Sequence, residues 1–190
     1  NIQLKYSNYV AFSHFHGCAV NNIGLINLQE TNEVDITEHP EILQYAFGMN
    51  KLNAQTLLKW QYQTQGKDLK PDFMPERMDG YCDIMEFKMP NLDGKCIVGT
   101  NERKQPSYQV DSAIAQINKY DEWCSQKINT DWLEKEYNMK VFKPNKYLIM
   151  GHSSDFTAED RRRLREERNI IIYTYDEFIE IARYQIYRYR

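Results

Sequence analysis

Asp72, Glu86 and Lys88 are the residues whose types and spacing could do chemistry in this chain. Glu86 and Lys88 lie two apart in Tyr81–Lys88, a stretch that reads as a strand. Alternation puts them on one face with Cys82 and Ile84, and puts Asp83, Met85 and Phe87 on the other. A carboxylate and an ammonium on an otherwise apolar strand are costly to bury without partners. Asp79-Gly80 suits a tight hairpin turn, because glycine tolerates positive φ, and such a turn brings Asp72 across from Glu86. Two carboxylates and a lysine converging at a strand end could hold a hard divalent cation and stabilise a developing anion. That is phosphodiester-cleaving chemistry in outline. The competing reading is a solvated Glu–Lys pair on an edge strand, since an acid two residues before a lysine is a common spacing.

The elements around this hairpin must position it. Upstream, Thr37 to Glu41 carries helix-start signals: a capping threonine, a proline suited to the first turn, and acids at the positive end of the helix dipole. Ile42, Leu43, Tyr45, Ala46 and Phe47 then form an apolar helical face that ends at Gly48. Leu52–Tyr62 reads as strand or short helix, and Lys95–Gly99 as a brief strand. Downstream, Val110, Ala113, Ile114, Ile117, Tyr120 and Cys124 recur at three- and four-residue spacing, the buried face of an amphipathic helix. Gln116 and Tyr120 are neighbours on that helix. A charged helix from Lys127, with Trp132, Leu133 and Tyr137 as packing residues, leads to a strand over Tyr147–Gly151. A capped helix over Asp160–Arg168, a β-branched strand over Asn169–Tyr175 and a last helix from Asp176 complete the order. The arginines at 161, 162, 163 and 165 are nearly neutralised by interspersed acids and read as a solvated face. Strands alternating with helices argue an α/β fold, a mixed central sheet flanked by helices.

A length of 190 residues fits one domain, here 31–190, with 1–30 as an N-terminal appendage or the end of a preceding region. The chain begins at Asn1 rather than methionine, which leads to the expectation of a domain cut from a longer protein, with a regulatory region ahead of it. Cys18, Cys82, Cys96 and Cys124 lack CxxC spacing, so neither a zinc site nor a disulfide framework is indicated. His14 and His16 could bind metal from a strand, but half-buried polar positions are the better reading. A net charge of −3 gives no global argument for nucleic acid, so DNA binding must come from a local patch or from metal-bridged phosphates. Without a signal peptide or a long apolar run, a cytoplasmic chain with no membrane partner is expected.

Asp72 followed by Glu86-Phe87-Lys88 resembles the active-site signature of the PD-(D/E)XK nuclease superfamily, and Pro71 matches its "PD". Gln116-Ile117-Asn118-Lys119-Tyr120 is similar to the QxxxY element that some of its families carry on the helix after the catalytic strands. The sequence "PDF", then "DGYCDIMEFKMP", "AIAQINKY", "KYLIMGHS" and "IIIYTYDEFIEIA", resembles the nuclease domain of the Shedu family of bacterial anti-phage defence proteins, over roughly 33–182. The resemblance implies a PD-(D/E)XK nuclease-like sheet and a metal-dependent DNA endonuclease, nicking phage or other duplex DNA, that assembles as a homo-oligomer. By the same resemblance Asp72 and Glu86 would ligate Mg²⁺ or Mn²⁺, and Lys88 would orient the attacking water or stabilise the phosphorane. Gln116 would sit beside the ligands or touch the scissile backbone, with Tyr120 supporting it. Asp83 ranks below Asp72 and joins only if a bulge turns it inward. An upstream glutamate is also implied, before an Asn/His-Pro step that His39-Pro40 matches; Glu33 is the choice, with Glu30 and Glu38 open. The alternative is a catalytically silent nucleic-acid-binding or sensor domain that self-assembles.

Overall fold

A computed structural model describes residues 3–5, 33–35, 41–62, 67–90, 92, 94–100 and 103–187. The chain divides into two compact units, Asn1–Pro40 and Glu41–Arg190. In the first, strand β1 (Gln3–Lys5) pairs antiparallel with β2 (Glu33–Asp35), Leu4 opposite Val34. The expected cap at Thr37 and the pair His14 and His16 lie outside the described residues.

The second unit is built on a mixed sheet of five strands in the order β3-β4-β5-β8-β9. Strand β3 spans Lys51–Ala54, β4 Phe73–Glu76 and β5 Ile84–Phe87, joined antiparallel; β8 (Lys146–Ile149) and β9 (Ile171–Tyr173) continue parallel to β5. Between β5 and β8 come a short ribbon of β6 (Ile97–Val98) and β7 (Gln105–Pro106), then helices α2 (Tyr108–Cys124) and α3 (Lys127–Tyr137). Helix α1 (Glu41–Phe47) precedes the sheet, α4 (Ala158–Arg168) links β8 to β9, and α5 (Tyr175–Tyr187) ends the described chain. The expected α/β architecture, a mixed sheet with helices on both faces, is what forms. Among the described residues no helix is long and apolar enough to cross a membrane.

Each face of the sheet has its own core because strand side chains alternate. On one face Ile84, Leu148 and Ile172 pack with Val110, Ile114, Ile117 and Trp123 of α2, Leu133 of α3 and Leu164 of α4. Trp123 adds the largest fully buried side chain to the helical face expected from spacing alone, and Trp132 of α3 meets it edge-on at 6.4 Å. On the other face Phe87 packs against Phe73, Tyr175 and Phe178, and Phe47 of α1 stacks on Phe178 of α5.

Local signals set the ends. Gly48 leaves α1 at φ 63°. Thr157 caps α4 by accepting the Asp160 N–H. Asn138 and Asn169 close α3 and α4 in the left-handed conformation. Between β4 and β5 the Arg77 N–H donates to the Tyr81 carbonyl, so Met78, Asp79 and Gly80 form the loop, with Gly80 at φ 83°. One expectation is corrected: Arg161 is buried, not solvated, and donates to the Phe156 carbonyl and to Glu177. Its charge is satisfied by the turn before α4 and by α5, neither of which belongs to its own helix.

Candidate functional site

The site lies where β4 begins and β5 ends, under α2. Phe73 pairs with Met85, so Asp72 and Glu86 face each other at the next step of the ladder. The Asp72 carboxylate accepts the Phe87 N–H through Oδ2 at 2.8 Å, and the Asp72 N–H lies 3.4 Å from Glu86 Oε2. From the other side, the Gln55 N–H donates to the Asp72 carbonyl at 2.8 Å. Gln55 does so from a left-handed backbone, φ 47°, unusual for a residue other than glycine. Asp72 is thus held by main chain on both flanks.

Lys88 continues the parallel pairing past β5: its N–H donates to the Ile149 carbonyl at 2.9 Å, and its own carbonyl accepts the Tyr175 hydroxyl. With the backbone fixed, Lys88 Nζ reaches Glu86 Oε1 at 2.8 Å and Gln116 Oε1 at 2.7 Å. An ammonium only donates, so the Gln116 carbonyl must face Lys88 and its amide must face the other way. Nε2 accordingly donates to Glu86 Oε1 at 2.7 Å and to the Tyr120 hydroxyl at 2.6 Å. Tyr120 lies 3.4 Å from the Lys70 carbonyl, a long contact that returns the chain of hydrogen bonds to the segment entering Asp72. Lys70 precedes Pro71, which biases it to extended backbone.

The electrostatics follow from burial. Loss of solvent and then the nearby Asp72 raise the Glu86 carboxyl above its ordinary range, against the pull of Lys88. Burial likewise raises Asp72, opposed by the Phe87 amide and Lys88. Burial and the neighbouring Glu86 charge push the Tyr120 phenol up, so it stays a neutral donor rather than a base. Glu86 is 4% exposed and Lys88 30%, which puts the ammonium on the solvent side of the carboxylate.

Two carboxylates held side by side, Glu86 buried and Asp72 half-buried, have the donor chemistry of a hard-cation site, since each disfavours the other's charge until a cation neutralises both. Asp72 and Glu86 therefore fit Mg²⁺ or Mn²⁺, which commonly takes one or two carboxylates and completes its shell with water and phosphate. Among the described residues no cluster of three or more His, Cys, Asp or Glu forms a fuller cage.

The structure brings Asp72, Glu86, Lys88, Gln116 and Tyr120 together. Asp83 stands elsewhere: wholly buried, it pairs with Arg77 Nη1 at 2.6 Å and accepts both the Asn145 N–H and Nδ2 at 2.8 and 3.1 Å. It fastens the β4–β5 loop to the entrance of β8. Glu33 lies on β2 in the other unit, and its side chain is outside the described residues, as are those of Glu30 and Glu38. The contributions of Gln55, Phe87, Lys70 and Tyr175 are absent from the sequence reading. Three of the four act through main-chain atoms, which any residue type supplies; Tyr175 acts through its hydroxyl, and nothing in its local pattern marks it.

The family model described as Shedu protein SduA, C-terminal, matches residues 21–179. No curated protein matches the chain.

Proposed function

The chain belongs to the Shedu family, matching its C-terminal domain, and from that premise we propose that it is a metal-dependent DNA endonuclease whose site is Asp72, Glu86, Lys88 and Gln116. The family is one of anti-phage defence. The observation that carries the enzymatic reading is the single hydrogen-bonded network in which Lys88 Nζ bridges Glu86 and Gln116 beside the opposed Asp72. A silent domain has no need to bury two carboxylates against each other; a hydrolase does. The substrate is duplex DNA, the cofactor Mg²⁺ or Mn²⁺, and the setting cytoplasmic, with a homo-oligomer as the working form.

Asp72 and Glu86 would hold the cation, whose chemistry there would be to polarise a phosphate oxygen and to acidify an attacking water. Lys88, on the solvent side of Glu86, faces the incoming phosphate and stabilises the charge that grows on it. Gln116 fixes the Glu86 oxygen nearest Lys88, leaving Oε2 toward Asp72, and Tyr120 keeps Gln116 in that orientation. The test is nicking of supercoiled plasmid by the purified chain with Mg²⁺, Mn²⁺ or EDTA. Cleavage that ignores EDTA, or none under any divalent condition, sinks the reading.

The same geometry makes a stability prediction. Asp72→Asn removes like-charge repulsion from a desolvated pair, so without divalent cation the variant melts at or above the wild-type temperature. Added Mg²⁺ or Mn²⁺ stabilises wild type by mass action, while the variant gains little. Equal metal-induced shifts in the two proteins, measured by calorimetry, would remove Asp72 from the site.

Gln116→Ala cuts cleavage about 10- to 100-fold, the usual cost of removing a group that orients a ligand. Its effect on stability is about 1 kcal/mol, the net value of a typical hydrogen bond, because Gln116 is only half-buried at the edge of the Ile114 and Ile117 face. A large drop in denaturation midpoint with unchanged specific activity would make Gln116 merely structural.

A further inference from the structure

We infer that Lys146 is a positioning residue for the candidate site: its buried ammonium fixes the roll of α2 about its own axis, and that roll brings Gln116 onto Glu86 and Lys88. The effect on cleavage rests on the nuclease reading; the effect on Gln116 does not. Lys146 opens β8 opposite Ile84, and Leu148, two residues on, lies opposite Glu86. Alternation therefore puts Lys146 on the face of the sheet that α2 covers, beside Ile84 and Leu148 of its core. Lys146 is 6% exposed, and its Nζ donates to Asn118 Oδ1 at 3.0 Å and to Asp121 Oδ2 at 3.3 Å, both on α2. An apolar side chain here would extend the core at no desolvation cost, whereas a buried ammonium is costly unless it is paired. What the cation supplies, and an apolar contact cannot, is direction.

Helix geometry gives this tether its meaning. At about 100° per residue, Gln116 and Tyr120 lie along one flank of the buried stripe of Ala113, Ile117 and Cys124, and Asn118 and Asp121 along the other. Apolar burial is non-directional, so the stripe alone permits small rolls of α2 over the sheet. Polar contacts on both flanks remove that freedom. On one side Gln116 Nε2 donates to Glu86 Oε1 at 2.7 Å; on the other Lys146 holds Asn118 and Asp121. A helix with its side chains has a radius of about 5–6 Å, so a roll of about 10° carries Gln116 about 1 Å from its place. Gln116 meets Glu86 and Lys88 through the two ends of one amide plane, so a roll absorbed at one partner is lost at the other.

The experiment compares wild type with Lys146→Met, which removes the ammonium and keeps an unbranched apolar chain in its place. Asn118 is exposed and Asp121 more than a third exposed, so both return to water. Asn118→Ala/Asp121→Ala breaks the same tether from the solvent side of α2 and replaces Lys146→Met should that variant not fold. Exchange of the Gln116 side-chain amide protons with water is followed by NMR in the metal-free full chain, with Gln116→Ala assigning the signal. Melting temperatures and nicking kinetics in Mg²⁺ are recorded beside it. Exchange should quicken several-fold while the melting temperature barely moves. The saturated nicking rate should fall about 10-fold with the half-saturating DNA concentration unchanged. In a Gln116→Ala background Lys146→Met should cost no further rate, because both changes act through one group. Unchanged exchange in both tether variants overturns the proposal, as does a rate loss that multiplies with that of Gln116→Ala. Faster exchange that only tracks a fall in melting temperature makes Lys146 structural and overturns it too. A wild type that does not nick sinks the nuclease reading, and the amide exchange then decides the positioning by itself.

Discussion

Lys88→Ala slows nicking by about 10²–10³, the usual cost of losing one positioned group that meets charge developing in the transition state. The backbone at Lys88 is held by Ile149 and Tyr175, so truncating the side chain leaves β5 in place. Glu86 keeps its bond from Gln116, and the carboxylate pair stays assembled. Duplex affinity changes little, because it is spread over many phosphate contacts of which Lys88 supplies one. The two effects therefore separate: a rate measured at saturating DNA collapses while the binding isotherm at the same salt barely moves. Wild-type cutting by Lys88→Ala would make this a surface lysine and leave the proposed site without its centre.

Asp83→Ala has the largest expected effect on stability, about 2–3 kcal/mol. Asp83 is fully buried and accepts three hydrogen bonds, one of them from Arg77. Breaking a buried ion pair by removing one partner strands the other. Here the cost is moderated because Arg77 is about a quarter exposed and Asn145 is exposed, so both regain water. In a unit of this size the loss corresponds to roughly 5–10 °C in melting temperature. Nicking per folded molecule well below the melting range should stay within a few-fold of wild type. The opposite pattern, an unchanged denaturation midpoint with abolished cleavage, would make Asp83 a member of the site.

Several elements are legible because their cause is local. The three- and four-residue recurrence from Val110 to Cys124 specifies α2 and its buried face, and Thr157, Asn138 and Asn169 act on the turns beside them. Arg161 is not legible in this way. Within its own helix it is one charge among many, and burial became possible only through Phe156 and Glu177, 5 and 16 residues away. The pairing of Leu58 with Leu69 is similarly hidden, since one two-residue bridge carries no periodic signal.

The candidate site divides along the same line. Strand alternation alone determines that Glu86 and Lys88 share a face, and helical spacing alone makes Gln116 and Tyr120 neighbours. Both follow from backbone dihedrals repeated residue by residue, so the sequence contains them. Alternation also sets Asp83 on the opposite face, and the Asp79-Gly80 turn favours Asp72 as the partner of Glu86. What the sequence leaves open is the register itself, Phe73 opposite Met85, and the partners Arg77 and Asn145 that hold Asp83 elsewhere. The meeting of Lys88 with Gln116, 28 residues on, likewise waits for α2 to pack over β5. Register and packing depend on hydrogen bonds and apolar contacts between distant segments, and no local period encodes them.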